Sequence, residues 1–549
     1  MDGLNNRKIR VEIKDWLFNA GILGLYRILK HADAHVLKSG NYIEFEAGAL
    51  ENFERLFFEY FSDTYEKNSL WFNLTAFCRA NMDMDNPGGM EEEKIQEFVK
   101  SFSTGLNQAS YQTAYEMITG DKDHIKTILN TVKDTKIPLP ERAGKIKEIY
   151  DFFIVNKEII QAKYISYSVI NNYWGGVSFL NKQQVKKNMF DLYRKDFVAP
   201  VFNFFQAREK KSPFGNCLIC NSVIGSKSDC SIGLSWLKMD LDSARKTSVY
   251  WNHQPDLIIC PVCNLVYSCV PAGFTTIRKK GLFINDNSRI ESLLDYNNVA
   301  VERLKKIEPD NMESVEDITY TTIINLIRQK RDENLKKEVE NIQVIKFDPV
   351  RGYTFNLLSK SVIEVIDKSE KELNQLAKLN NVSLDSKNWI NLYSEVIDRI
   401  YRNINLYPLI YLVTVLSRKD TKKRWMIKYS NLIFDINMNF IGGKMSEKKI
   451  HAMKQLGLKL KKGYRGKDAE NKIQGIAYRL LNFLKTKNTN GFLDVVINCH
   501  MHIGAEVPTL FVECIDDEER FQAYGYAFLL GFTGEEYKKN SETGNQETN

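Results

Sequence analysis

The chain has 549 residues, of which 43% are hydrophobic and 26% charged. This composition is typical of a globular protein with two to four domains and excludes a largely disordered chain. The sequence has no run of about 18 apolar residues, and Met1 to Asp15 lack the apolar core of a signal peptide. The net charge of +7 permits a nucleic-acid partner without requiring one. We therefore expect a cytoplasmic protein whose thiols are reduced and free to bind metal.

The first predicted domain covers residues 1–205 and mixes helices with strands. Asp15 is a candidate N-cap of an apolar helix. Gly21 and Gly24 lie inside this helix, and because glycine weakens helices, we expect a close neighbour there. Residues 42–46 alternate as a strand does.

A loop interrupts the largely helical stretch 146–206. It spans residues 171–181 and combines aromatic rings, side-chain amides and a Gly-Gly pair. Such a loop can approach a base pair closely and read its edges. The alternative interpretation is an ordinary turn lined with aromatic residues. The candidate base-reading residues are Asn172, Tyr173, Gly175, Gly176 and Asn181.

Two CxxC pairs are the most informative feature of the chain: Cys217 with Cys220, and Cys260 with Cys263. Four thiolates in two such pairs are the ligand set of a tetrahedral Zn²⁺ ion. Because the protein supplies all four ligands, no position is left open for substrate. We predict a structural zinc site within a zinc-binding segment at residues 206–295.

Asparagine follows the second cysteine of each pair, at Asn221 and Asn264. This residue tolerates a positive φ angle, which a zinc knuckle needs near that position. The 39 residues between the pairs exceed the roughly 15–20 of a common zinc ribbon, and we attribute the excess to an insertion. Strand-like runs are predicted at residues 257–259 and 265–267. The alternatives are reduced thiol turns without metal, or substitute ligands among Cys230, His253 and Cys269.

Basic residues recur in clusters, several of which flank the cysteine pairs. One such cluster is usually a solvated helix face, but their recurrence favours contacts with nucleic-acid phosphates. The candidate phosphate-binding residues are Lys186, Lys187, Arg208, Lys210, Lys211, Arg278, Lys279, Lys280, Lys422, Lys423, Arg424, Lys459, Lys461, Lys462 and Arg465.

The second half of the chain is predicted to be mainly helical. Apolar residues at helical spacing over 357–377 and 389–416 predict a helical domain at 296–440. Similar spacing predicts a C-terminal helical bundle at 441–533, and the polar tail 534–549 is expected to be disordered. The predicted fold class is α+β and predominantly helical: a mixed N-terminal domain with a zinc-finger-like CxxC/CxxC insertion, followed by the bundle.

Catalytic motifs are missing from the sequence. It contains no P-loop, dinucleotide fingerprint, HExxH motif or nucleophile elbow. The seven histidines are scattered and form no obvious nuclease cluster. We therefore predict that the protein is not an enzyme.

Three features together resemble one protein family. They are the segment DWLFNAGILGLYRIL at Asp15 to Leu29, the CLIC and CPVC pairs, and the C-terminal runs Ala477 to Leu484 and Phe521 to Gly531. In combination they are similar to the CRISPR-associated CXXC–CXXC family, the large subunit of type I-B Cascade interference complexes. The resemblance spans nearly the whole chain.

The resemblance implies a non-enzymatic subunit near the 5′ end of the CRISPR RNA. Such a subunit senses the protospacer-adjacent motif in double-stranded DNA, stabilises the R-loop and helps to recruit a helicase-nuclease. Because the guide supplies sequence specificity, the protein reads only a few base pairs and the backbone. The implied partners are CRISPR RNA, target DNA, the backbone and RNA-processing subunits of Cascade, and the helicase-nuclease, with no membrane. The family does not assign the motif-reading residues in this sequence.

Met445 is a candidate internal start. Related complexes use a small helical subunit along the displaced strand, and in some systems it is made from an internal start in the large-subunit gene. Two glycines and a lysine precede Met445, and their codons can spell a purine-rich ribosome-binding sequence. Translation from Met445 would yield a basic helical protein of 105 residues.

Other interpretations stay open beside the resemblance. The first alternative is a zinc-stabilised nucleic-acid-binding protein of another processing or regulatory system. A metal-dependent nuclease would cleave nucleic acid with Mg²⁺ or Mn²⁺, whereas a purely structural assembly protein would show no salt-dependent affinity for DNA.

Overall fold

The computed structural model describes residues 5–207, 214–226, 231–232, 236–238, 258–277, 279–306, 342–357, 359–379, 381–385, 388–419, 421–442, 445–515 and 517–534. The chain forms two compact units. The first comprises Met1–Leu326 with Asn341–Leu357, and the second comprises Ile327–Glu340 with Leu358–Asn549. The predicted domain boundaries stay predictions, and the tail beyond residue 534 lies outside the described residues.

Helices dominate the described part of the first unit. They are α1 (Trp16–His31), α2 (Phe53–Thr64), α3 (Leu70–Asn81), α4 (Glu92–Leu106), α5 (Ala109–Thr119), α6 (His124–Lys133), α7 (Leu139–Val155), α8 (Lys157–Ile165), α9 (Met189–Tyr193), α10 (Ala199–Ala207), α11 (Pro261–Ser268), α12 (Val270–Gly273) and α13 (Ile290–Lys306). Two π-helical turns, Ser166–Ile170 and Arg194–Val198, continue α8 and α9. The predicted helical stretch 146–206 is therefore confirmed, but its interruption begins later than predicted, because residues Asn171–Tyr173 continue the first π-helical turn as a short α-helix.

The strands of the first unit form small antiparallel sheets. They are β1 (Lys8–Glu12), β2 (Leu37–Ser39), β3 (Tyr42–Glu46), β4 (Gly215–Asn216), β5 (Val223–Ile224), β6 (Ser231–Ile232), β7 (Ile258–Ile259), β8 (Thr275–Ile277), β9 (Lys280–Asn285), β10 (Gln343–Asp348) and β11 (Gly352–Leu357). One sheet has the order β1-β3-β2, and another has the order β11-β10-β9-β8. The strand predicted at residues 42–46 is confirmed as β3.

The described chain beyond residue 295 is mainly helical, as predicted, and the β10–β11 hairpin is an exception that the sequence did not indicate. Val344 of β10 lies between Ile284 of β9 and Asn356 of β11, so the hairpin completes a sheet of the first unit. Leu357 ends β11, and the helix predicted from that residue begins only at Lys360. A short apolar run fits both the strand and the helix period, and here pairing with a distant strand decides the outcome.

The capped start of α1 confirms the role predicted for Asp15. Its carboxylate accepts hydrogen bonds from the backbone N–H groups of Leu17 (2.9 Å) and Phe18 (3.2 Å). One turn later the wholly buried Asn19 donates to the Oδ1 atom of Asn285 at 2.9 Å. The cap and this amide pair together fix the start of α1 against the end of β9.

The two glycines of α1 mark a contact between backbones. A Cβ atom on Gly21 would lie 2.9 Å from the carbonyl carbon of Val266, and one on Gly24 would lie 2.9 Å from that of Cys269. Neither separation leaves room for a side chain. The close neighbour expected from the sequence is therefore confirmed, and it is the α11–α12 segment that follows the second cysteine pair.

Two apolar cores stabilise the first unit. One gathers around α1 and α2 and includes the buried cysteines, residues of α8 to α12 and residues of the sheets. The other lies among α3 to α8. Three of the four paired cysteines, Cys217, Cys260 and Cys263, therefore belong to the main core of the unit, which links any metal bound there to its folding.

The second unit contains nine described helices and one short strand pair. They are α14 (Lys360–Lys368), α15 (Glu370–Ala377), α16 (Leu392–Tyr401), α17 (Tyr407–Lys419), α18 (Ile427–Ile441), α19 (Glu447–Arg465), α20 (Ile473–Lys485), α21 (Thr489–Ile503) and α22 (Glu518–Thr533), with β12 (Val382–Ser383) paired to β13 (Trp389–Ile390). Helices α19 and α22 touch closely: a Cβ atom on Gly457 would lie 2.6 Å from the backbone nitrogen of Phe532.

These elements confirm the predicted fold class. The described residues form an α+β protein that is predominantly helical, with an insertion carrying the two CxxC pairs. Among the helices that the structure describes, none combines the length and the apolar character that crossing a membrane requires.

Candidate metal centre

The first cysteine pair lies in the turn of a short hairpin, between β4 and β5. The N–H group of Cys217 donates to the carbonyl of Ser222, and the N–H group of Asn221 donates to the carbonyl of Cys217, both at 2.8 Å. Asn221 has a φ angle of 58°, in the left-handed region that asparagine tolerates better than most residues. The prediction for Asn221 is confirmed, and the tight turn directs both thiols to one side.

The second pair has a different local structure. Cys260 is the N-cap of α11, its sulfur faces the N–H group of Cys263 at 3.5 Å, and Pro261 occupies the first helical turn. Proline is suited to that position because its fixed φ angle is helical and its missing N–H group needs no partner there. The helix then continues through Asn264 and Tyr267.

Two predictions about the second pair are therefore wrong. Asn264 does not have a positive φ angle, because it lies inside α11 and its N–H group donates to the carbonyl of Cys260 at 3.0 Å. The predicted strand at residues 265–267 is also helical. The strand predicted before the pair is confirmed as β7, Ile258–Ile259.

Backbone hydrogen bonds hold the two pairs together. The N–H group of Leu218, inside the first pair, donates to the carbonyl of Ile258 at 2.9 Å. Strand β7, which leads into the second pair, also pairs with β6. Backbone contacts therefore bring the second pair back to the first across the long sequence between them. The thiols add to these contacts, since the N–H group of Cys260 donates to the Sγ atom of Cys217 at 3.3 Å.

The four sulfur atoms have the spacing of a metal ligand set. The Sγ atoms of Cys217, Cys220, Cys260 and Cys263 all lie within 4.8 Å of one another, and those of Cys220 and Cys260 are 3.6 Å apart. A tetrahedral Zn²⁺ with Zn–S bonds of about 2.3 Å would place its sulfurs roughly 3.8 Å apart. Three of the cysteines are buried and Cys220 is exposed. The group fits one tetrahedral ion.

The thiols influence one another strongly. Hydrogen bonds from Cys217, Cys260 and Cys263 lower the pKa of the Cys220 thiol. Hydrogen bonding to Cys217 and Cys220 raises the pKa of the Cys260 and Cys263 thiols. Four thiolates this close would repel one another, so full ionisation requires a cation among them. The donor set is therefore suited to a metal ion.

The alternative ligands do not join the group. Cys269 is wholly buried, and burial raises the pKa of its thiol to about 12; it lies outside the four-cysteine group. Cys230 and His253 lie outside the described residues. Within the part of the chain that the structure describes, only the four predicted cysteines approach one another as ligands.

A cavity of about 280 Å³ adjoins the centre, with Cys220, Cys260 and Cys263 among its lining residues. Strand β1 and the end of α10 provide much of the remaining wall. Four cationic residues from the start of the chain also line it: Arg7, Lys8, Arg10 and Lys14. Three of these cations are already paired with carboxylates, Lys8 and Arg10 with Glu44 and Lys14 with Glu12. Sequence reasoning missed these residues because they precede the cysteines by some 200 positions; their only local signal is the charged and apolar alternation of β1.

The predicted base-reading loop requires one correction. Tyr173 is wholly buried, and its hydroxyl lies 2.7 Å from that of Thr276. Its ring packs against Phe274 and Phe347, so it cannot stack on a base. Tyr173 and Trp174, the two aromatic residues before the Gly-Gly pair, both belong to the core, because long-range packing that a local pattern does not show surrounds them.

The other loop candidates lie nearer the surface. Gly176 is exposed, while Asn172, Gly175 and Asn181 are half-buried. The side-chain amide of Asn172 donates to the carbonyl of Ser168 at 2.9 Å, and the Oδ1 atom of Asn181 accepts from the next residue but one. Their proposed role in base reading stays a prediction.

The basic candidates of the first unit are spread over its surface. Lys186 is exposed and pairs with Glu116 at 2.7 Å. Lys187 and Lys279 are exposed, and Lys280 lies 3.5 Å from Asp348. Four further candidates lie outside the described residues: Arg208, Lys210, Lys211 and Arg278.

In the second unit, one basic candidate is corrected. Lys461 is buried, and its ammonium donates to the carbonyl of Gly534 at 2.6 Å, so it stabilises the end of α22 and is not available to a phosphate. The exposed candidates are Arg424, Lys459, Lys462 and Arg465, the last paired with Glu470. Lys422 and Lys423 lie in the 3₁₀ turn Thr421–Met426.

The segment with the cysteine pairs matches a known protein family. Residues 210–275, which include all four clustered cysteines, match the family described as CRISPR-associated protein (Cas_CXXC_CXXC). No curated protein and no solved structure matches the chain. The family match supports a CRISPR-associated protein, and the matched segment contains the four cysteines that could hold a metal ion.

Proposed function

We propose that this protein is the large subunit of a type I-B CRISPR RNA-guided surveillance complex. The observation that carries the proposal is the coincidence of two findings: the family match covers the segment in which four distant cysteines gather into one tetrahedral donor set. In this role the chain binds target DNA, senses the protospacer-adjacent motif, stabilises the R-loop and helps to recruit the helicase-nuclease.

The metal that best suits the site is Zn²⁺. Four sulfur donors with tetrahedral spacing favour zinc, and a closed set of protein ligands favours a structural role. The residues that would hold it are Cys217, Cys220, Cys260 and Cys263. Because α11 starts at the metal and then packs against α1, the ion would fix the position of α11 within the core.

The test of the complex is a tagged purification from the native host, followed by sequencing of the RNA that copurifies. We expect short CRISPR RNAs together with backbone subunits. Recovery of no RNA, or of unrelated RNA, would contradict the assignment and favour a zinc-stabilised nucleic-acid-binding protein of another system. The absence of catalysis is part of the proposal, and cleavage of DNA or RNA by the pure protein with Mg²⁺ or Mn²⁺ would overturn it.

Exposed lysines should contribute to DNA binding through phosphates. Replacing Lys186 and Lys187 by Gln is expected to weaken duplex binding several-fold for every sequence. Each lost phosphate contact should reduce the slope of log K against log salt by about 0.9. Fluorescence anisotropy over a salt series measures both effects. The matched control is Lys145→Gln with Lys147→Gln, which removes two lysines of α7 that, like Lys186, pair with a carboxylate; an equal loss in that variant would indicate a general charge effect.

The fold supports Met445 as an internal start. It lies between the end of α18 and the start of α19, and the described chain beyond it forms the mutually packed helices α19 to α22. In the intact gene, Met445→Leu should abolish a product of 105 residues while full-length chain persists. Immunoblotting against the C-terminal part detects both products. The control variant Met438→Leu should leave the short product unchanged. Persistence of the short product in the Met445→Leu variant would refute the internal start.

A further inference from the structure

Two tryptophans of the second unit are exposed, unlike the others that the structure describes. Trp389 is 64% exposed and Trp425 is 50% exposed. The remaining described tryptophans, which are Trp16, Trp71, Trp174 and Trp236, are each exposed by 9% or less. An indole is among the most favourable side chains to bury, so two exposed ones indicate a binding surface.

Contacts bring the two tryptophans to the same region. Trp389 pairs with Ser383 across the β12–β13 ladder. The carbonyl of Ser383 accepts a hydrogen bond from the ammonium of Lys423 at 2.8 Å. Trp425 follows Lys423 by two residues in the same 3₁₀ turn. One hydrogen bond and one strand pair therefore hold the two segments that carry the tryptophans next to each other.

The charge around Trp425 is positive and uncompensated by any described carboxylate. Arg424 and Lys428 are exposed, and neither forms an ion pair with a residue that the structure describes. Other basic residues of this unit do have such partners, as Arg399 has Glu395. Asp420 lies outside the described residues. These cations form a positive rim beside the exposed indole.

A partly buried guanidinium adds to this charge. The Nε atom of Arg418 is buried without a hydrogen-bond partner among the described residues. Burial, followed by the charge of Arg424, lowers the pKa of the Arg418 guanidinium to about 10. Its charge lies beside that of Arg424 and adds to the positive potential that attracts phosphates to this surface.

Trp425 has an aromatic neighbour that restricts the orientation of its ring. Its ring and that of Tyr429 meet edge to face, with centroids 5.6 Å apart and an angle of 85° between the planes. Tyr429 in turn lies 5.8 Å from the ammonium of Lys428. An aromatic platform held in place beside cations is what unpaired bases and their phosphates require.

We propose that Trp389 and Trp425 form a stacking site for unpaired bases of single-stranded nucleic acid, with Arg424 and Lys428 binding the adjacent phosphates. This inference rests on the proposed nucleic-acid-binding function and specifies the strand state that the second unit recognises. Bases in a duplex are stacked on each other and do not offer their faces to side chains, so the site selects unpaired strands. The cationic rim favours this occupant over an apolar protein segment.

Anisotropy titrations of the full chain test the site. The probes are labelled 20-nucleotide oligothymidylate, oligouridylate of equal length and a DNA hairpin duplex. Trp389→Ala and Trp425→Ala should each weaken binding of the single-stranded probes by about tenfold, and leave duplex affinity within twofold. Trp425→Tyr keeps an aromatic face and should restore most of the loss. Tyr478→Ala is the matched control, since Tyr478 is 47% exposed in the same unit; it should change nothing.

The outcomes separate this inference from the function on which it rests. If both tryptophan variants bind single-stranded probes as tightly as the unaltered chain, the stacking site is overturned. If the same variants also lose copurifying subunits, the surface is a contact with another protein. The proposed function would survive either result as long as the unaltered chain binds duplex and recovers CRISPR RNA. An unaltered chain that binds neither form of nucleic acid at low salt would refute both.

Discussion

Cys217→Ser combined with Cys263→Ser is expected to remove one equivalent of metal and to unfold the core of the first unit. Both thiols are only 2% exposed, so each serine would bury a hydroxyl that cannot replace a thiolate ligand. Structural zinc contributes on the order of 10 kcal/mol to the folded state of small domains. We expect Tm to fall by about 10 °C or more. Elemental analysis of the pure protein and thermal unfolding measure the two effects.

The control for this experiment is Cys78→Ser. Cys78 is also buried, but it belongs to the other apolar core of the unit, away from the four-cysteine group. This variant should keep one equivalent of metal even if its stability falls slightly. Full metal content in the double variant would contradict the assignment of the ligands. Iron with visible absorption in the unaltered protein would contradict zinc.

Gly24→Ala is expected to destabilise the first unit by more than about 3 kcal/mol, the upper range for overpacking. The added methyl group would overlap the backbone at Cys269 and Gly273, and a backbone cannot turn aside as a flexible side chain can. Helix α1 and the α11–α12 segment must then separate. Because α11 carries Cys260 and Cys263, the same substitution should speed the loss of metal to a chelator. Urea unfolding and a colorimetric zinc-release assay measure these results.

Gly144→Ala is the matched control for the close contact. Gly144 lies in α7, and a Cβ atom there would meet nothing within 4 Å. Alanine should therefore stabilise the helix by about 0.5–1 kcal/mol, because glycine is the weaker helix former. The prediction for Gly24 would be wrong if the two variants unfolded at the same urea concentration.

Local signals in the sequence predicted the features that depend on neighbouring residues. Asp15 caps α1 and Asn221 adopts a positive φ angle because each is determined within a few positions of the chain. The glycines of α1 also predicted a close neighbour, although not which segment it is. The four cysteines could be grouped because the chemistry of zinc constrains the ligand set independently of the fold.

Features that depend on distant residues could not be predicted in the same way. Tyr173 resembles a loop residue in sequence, and only its packing against two distant phenylalanines places it in the core. In sequence, Lys461 cannot be distinguished from the other lysines of its basic run. Only the folded structure shows that its ammonium donates to the carbonyl of Gly534 at the end of α22. The helical conformation of Asn264, by contrast, could have been predicted from its neighbours. Pro261 is typical of the first turn of a helix, and this signal outweighs the tolerance of asparagine for a positive φ angle.

The late return of the β10–β11 hairpin affects the timing of folding during synthesis. Strand β9 is buried along nearly its whole length, yet its partner β10 begins only after residues 286–342 have been made. At roughly 5–20 residues per second, those 57 residues take a ribosome about 3–11 s. During that interval the edge of β9 is open to pairing with another chain. The rate of translation, and not only the final stability, therefore determines how long the nascent first unit is exposed to aggregation.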